Sequence, residues 1–97
     1  MVSRQKNWPI KRVANSAKKS IERIELKAQR QILIKMECLE YDPFVCDICK
    51  VQGRENIYRM RVDDYRVFFR LCQDDKSIEV LLIGHKSSIK EKTIQRL

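Results

Sequence analysis

Residues 57 to 72 read IYRMRV-DD-YRVFFRLC, two alternating runs joined by a pair of aspartates. A strand sends successive side chains to opposite faces, so a two-residue turn at Asp63-Asp64 dictates which residues meet. Val62 then lies opposite Tyr65, Arg61 opposite Arg66, Met60 opposite Val67, Arg59 opposite Phe68 and Tyr58 opposite Phe69. Tyr58, Met60, Val62, Tyr65, Val67 and Phe69 make one apolar face. Arg59, Arg61, Arg66, Phe68 and Arg70 fall on the other. Asp-Asp is a weaker hairpin turn than Asn-Gly, but aspartate tolerates positive φ better than most residues.

The flanking sequence supplies what this hairpin packs against. A short opening strand is predicted over residues 8–14. Asn15 or Ser16 can cap a helix, and Ala17, Ile21, Ile24, Ala28, Ile32, Met36 and Leu39 recur at helical spacing. That stretch is long for one globular helix, so we read two, broken within residues 24–27. Pro43 ends the second, because the residue before proline avoids helical geometry. Residues 44–51 form a loop entering a strand, and Gly53 marks a bend. After Gln73-Asp74-Asp75-Lys76, residues 77–83 give another strand. Ser88-Ile89-Lys90-Glu91 has the form of a capping box and opens a short helix towards Leu97. The expectation is a single α+β domain over residues 1–97: an early strand, a helical hairpin packed on one face of a small antiparallel sheet, and a short C-terminal helix. The second sheet face is left free to bind.

Charge says what it binds. Lys and Arg number 21 against 13 acidic residues, a net +8, which favours a polyanionic partner, nucleic acid or an acidic protein. Like charges directly opposite on a sheet cost up to about 1 kcal/mol. An anion between Arg61 and Arg66 reverses that sign, since guanidinium forks grip phosphate oxygens. At the end of the last strand come Gly84, His85 and Lys86, with Lys90 expected as the second residue of the closing helix. His85 is the one side chain that readily exchanges a proton near neutral pH.

No long apolar run exists, so no membrane span or signal peptide is expected, and the chain reads as cytoplasmic. Four cysteines are therefore expected to stay reduced. Cys46-Asp-Ile-Cys49 has the spacing of half a zinc site, but the other half is missing and His85 is the only histidine. No metal or cofactor is expected.

The segments ENIYRMRVDDYRVFFRL and IEVLLIGHKSSIKEK resemble the RelE/ParE toxin superfamily of bacterial type II toxin–antitoxin systems, whose members carry a YRxRVGDYRV hairpin followed by a strand ending in GHR. The resemblance implies a fold similar to microbial ribonucleases. Its RelE-like members cleave messenger RNA on the ribosome without a metal, by attack of the 2′-hydroxyl on the adjacent phosphate; its ParE-like members poison DNA gyrase. By position, Arg66 falls on the arginine expected to stabilise the transition state, and Lys86 on the arginine of GHR. Arg59 and Arg61 fall on basic residues that bind RNA, and Arg70 extends that row. Lys90 stands where RelE-like nucleases have a tyrosine, which leaves Lys90 or His85 for proton transfer. Asp63 replaces the glycine of the turn. The partners implied are an acidic antitoxin, with the ribosome and messenger RNA in one branch and gyrase in the other.

Overall fold

A computed structural model describes residues 5–97. Its elements are β1 (Ile10–Val13), α1 (Asn15–Arg23), α2 (Leu26–Tyr41), β2 (Ile48–Lys50), β3 (Ile57–Val62), β4 (Tyr65–Cys72), β5 (Ser77–His85) and α3 (Glu91–Gln95), with a 3-10 turn at Pro43–Val45. The hairpin register is the expected one: Val62 pairs with Tyr65, Arg61 with Arg66, Arg59 with Phe68 and Tyr58 with Phe69. Only Asp63 of the two turn aspartates has positive φ (52°). The turn thus takes the left-handed step at its first position, where aspartate is tolerated.

The sheet order is β1-β5-β4-β3-β2. It is not wholly antiparallel, because β1 runs parallel to β5. The helical hairpin carries the chain from β1 across one sheet face to the far edge, and the meander then returns strand by strand. β1 is shorter than expected. Trp8 precedes it and is buried, its ring edge-on to Phe44 at 6.1 Å and its main-chain N–H donating to Glu40 O at 2.9 Å. A register shift between Ile10 and Arg12 lets Ile10 and Val13 both face inward despite their odd spacing.

The helices break at Ile24-Glu25, where both residues are extended (ψ 142° and 151°). Gln29 Nε2 donates at 2.8 Å to Ile21 O, which also accepts the Ile24 N–H at 3.3 Å, and so ties the first turn of α2 to the end of α1. Ala17, Ile32, Met36 and Leu39 pack on Met60, Val62, Val67, Phe69, Leu71, Ile78, Val80 and Ile83. Each large side chain buried this way contributes about 1.5–3 kcal/mol.

Two expectations fail at the C-terminus. The Ser88 capping box does not form: α3 starts at Glu91, its N-cap is Lys90, and no side chain caps it. Ser88 instead closes a turn, its N–H donating to His85 O at 2.9 Å. The second sheet face is also not entirely open. Phe68, on the arginine side, is only 1% exposed. Ile89 lies over Gly84 so closely that a β-carbon there would sit 3.4 Å from its Cγ1. Ile94 of α3 shares a groove of about 300 Å³ with Phe68, Arg59 and Cys49.

Candidate nucleic-acid interface

Arg59 and Arg61 alternate with the core residues of β3, and Arg66 and Arg70 with those of β4, so the hairpin delivers all four to the side away from the helices. Their immediate partners differ. Arg59 is exposed and, among the described residues, has no carboxylate within ion-pair reach. Arg61 Nε lies 3.2 Å from Asp47 Oδ2, an exposed pair at the sheet margin. There both residues also line a groove of about 500 Å³ with Gln31, Ile34 and Lys35 of α2.

Arg66 turns back on its own loop, with Nη1 donating to Asp63 O and Tyr65 O, both at 2.8 Å. The repulsion expected between Arg61 and Arg66 is thus relieved from inside the protein, by one carboxylate and two carbonyls. Arg70, expected among the phosphate ligands, pairs across the sheet with Glu79, Nη1 to Oε1 at 2.7 Å and partly buried.

Beyond β5, Lys86 Nζ lies 3.3 Å from Asp64 Oδ1, and its main-chain N–H donates to Asp64 O at 2.7 Å. Lys86 therefore stands beside the hairpin turn, next to Arg66. Lys90 is exposed as the N-cap of α3, one step outside the helix and not the second helical residue expected.

His85 lies apart from the arginines. It pairs with Tyr65, the two rings edge to face at 5.3 Å between centroids, on the side where Tyr65 packs against the core. Arg66 pairs with Gly84, so the arginine side receives the glycine and not the imidazole. The cause is a bulge. Phe69 pairs with Val80 but Phe68 with Leu82, leaving Leu81 as an extra residue that reverses the parity of everything after it. Ser87 N–H donates to His85 Nδ1 at 3.1 Å, so the neutral ring carries its proton on Nε2.

The CxxC pair is split by the same alternation. Cys46 packs against the core cluster, whereas Cys49 is exposed and pairs with Arg59. Burial is the main cause pushing the Cys46 thiol pKa up. Among the described residues no three His, Cys, Asp or Glu side chains converge on a metal position.

Arg66, Lys86 and the Asp63-Asp64 turn are thus brought together, with Arg61 and Arg59 following along β3. Asp47 and Asp64 were missed as partners because nothing local in the sequence links them to Arg61 and Lys86. The Arg70–Glu79 pair was legible, since pairing Cys72 with Ser77 across the charged turn puts residue 70 opposite 79.

Residues 12–89 match the family model described as ParE toxin of type II toxin-antitoxin system, parDE. The chain belongs to the ParE toxin family. Among curated proteins, none matches its sequence. The toxin is similar in structure to the archaeal RelE of the RelE–RelB complex from Pyrococcus horikoshii OT3, with a TM-score of 0.72 and 24% identity, covering 86% of this chain and 99% of that one. RelE of the complex from Methanococcus jannaschii gives 0.69 and 23%, covering 82% and 95%. The isolated E. coli RelE toxin gives 0.71 and 15%, covering 92% and 97%. At these identities the likeness establishes a RelE-like α+β fold. No described helix is long and apolar enough to cross a membrane.

Proposed function

We propose that this toxin is a ribosome-dependent messenger RNA endoribonuclease that inhibits translation in the cytoplasm. The observation carrying this reading is the cross-strand pair Arg61–Arg66, with Arg59 two residues along β3, on the sheet side opposite the core. Released from Asp47 and the turn carbonyls, guanidinium groups on facing strand positions can grip a backbone phosphate between them.

In the reaction the 2′-oxygen attacks the adjacent phosphorus and the 5′-oxygen leaves, giving a 2′,3′-cyclic phosphate and a free 5′-hydroxyl. Arg66, released from the turn carbonyls, neutralises the developing phosphorane, an effect worth several kcal/mol in a preorganised site. Lys86 stands close enough to the turn to assist. Lys90, exposed in place of the tyrosine of RelE-like nucleases, is the remaining candidate for moving protons.

The neutralising partner we propose is an acidic antitoxin covering this surface. The relatives from P. horikoshii and M. jannaschii are each found in complex with RelB, and a +8 chain supports an acidic partner.

One observation favours a second reading, in which the toxin binds DNA gyrase without cutting RNA. With His85 on the helix side, only lysines remain for proton transfer. Adding purified toxin to translating ribosomes and mapping the message separates the two. Cuts in codon register support the nuclease. Intact message together with blocked supercoiling by gyrase replaces it with the second reading.

A further inference from the structure

The cations of the proposed phosphate site are not idle in the free protein. Lys86 Nζ is 3.3 Å from Asp64 Oδ1, and Arg61 Nε is 3.2 Å from Asp47 Oδ2. In both pairs the main chain duplicates the contact: Lys86 N–H donates to Asp64 O at 2.7 Å and Arg61 N–H to Asp47 O at 3.1 Å. Each acid is therefore held beside its cation by the backbone, whatever the side chains do. Arg66 is occupied in the same way by the carbonyls of Asp63 and Tyr65. Arg61 and Lys86 thus face the carboxylates of Asp47 and Asp64, and Arg66 faces carbonyls, on a chain of net charge +8.

We propose that Asp47 and Asp64 are built-in competitors of the RNA phosphates, which must displace them from Arg61 and Lys86, and that they set the specificity of the site. The proposal rests on the phosphate-binding reading above. All four partners are exposed, so each pair is weak and exchangeable. A ligand with one phosphate trades one anion for another and gains little. A strand presenting several phosphates at once also reaches Arg59, which has no carboxylate partner among the described residues, and it releases both carboxylates to water. The aspartates therefore act against free nucleotides and inorganic phosphate and leave a polynucleotide able to bind. They are positioning residues, not catalytic ones.

The test is a double-mutant cycle on binding of a fluorescent 12-nucleotide single-stranded RNA at low salt, using D64N, K86M and the double variant, with E22Q as a control for net charge. Asparagine keeps the main-chain bond to Lys86, so D64N is expected to melt like the parent. Exposed ion pairs couple by about 0.2–1 kcal/mol, so D64N should tighten RNA binding about 1.4- to five-fold. Its salt dependence should steepen, as one more cation becomes free for a phosphate. K86M should weaken binding, and in that background D64N should lose most of its effect. E22Q, on the outer side of α1, should change affinity little.

Equal tightening by D64N with or without Lys86, or by E22Q as strongly as by D64N, overturns the competitor role while leaving the phosphate site intact. K86M binding like the parent, or no variant binding RNA, removes the phosphate-site reading itself and this inference with it.

Discussion

Tyr65 and His85 stand edge to face, 5.3 Å between ring centroids, on the opposite side of the sheet from Arg66. The only histidine of the chain is thereby tied to the margin of the core, although it directly follows Gly84, which faces the arginine side. His85→Gln is accordingly expected to keep toxicity. It should lower stability by about 0.5–1.5 kcal/mol, the scale of one aromatic contact. Growth arrest on expression, measured beside a thermal melt, checks this. A folded but harmless variant would return His85 to the active site.

Arg66 has the opposite expectation. Its two hydrogen bonds go to main-chain carbonyls of the turn, so Arg66→Ala should cost only about 1–2 kcal/mol and leave the fold intact. Toxicity should nevertheless disappear. Far-ultraviolet circular dichroism with a growth assay suffices, and a folded variant that still halts growth counts against the assigned role.

Phe68 tests whether the C-terminal segment is part of the fold. It is buried on the arginine side of the sheet, outside the main core, with Ile94 at its groove. Phe68→Ala should destabilise by about 3–5 kcal/mol, as for other buried phenylalanines. Truncation after Ser87 should also be destabilising, since it uncovers Phe68 and the strip beside Gly84. Urea denaturation of the two variants gives the comparison. An unchanged midpoint after truncation would mean that α3 contributes no cover.

The turn between β4 and β5 carries a pH signature. Ser77 Oγ donates to Asp75 Oδ1 at 2.6 Å, and this bond is the first cause holding the Asp75 carboxyl below its ordinary range, with Lys11 adding to it. A carboxylate whose pKa is depressed on folding stabilises the native state above the unfolded value, near 4, and loses that contribution as pH falls through the folded one. Ser77→Ala should therefore raise the Asp75 pKa and reduce the loss of stability below about pH 4. A carbon-detected NMR titration of Asp75 in both proteins measures this directly. Superimposable titrations would assign the depression to something other than the hydroxyl.

How much of this was open to the sequence depends on how far apart in the chain the deciding residues lie. A two-residue turn and period-two alternation place Arg59, Arg61, Arg66 and Arg70 on one face, and both are local properties read over sixteen residues. The pattern Ala17, Ile21, Ile24, Ala28, Ile32 likewise announced the helices, although their break at Ile24-Glu25 has no glycine or proline and was suggested only by length. The Arg70–Glu79 pair could have been read from the same alternation carried one turn further.

The sequence by itself thus determined the faces of the hairpin, because side-chain direction in a strand is counted from the nearest turn. Tertiary structure decided what the cations hold and where His85 points. Asp47 reaches Arg61 only when β2 docks on β3, and Asp64 reaches Lys86 only when β5 closes beside β4. One unpaired residue, Leu81, then reverses the count that would have put the imidazole among the arginines. A bulge is a property of how two strands pair, and neither strand alone records it.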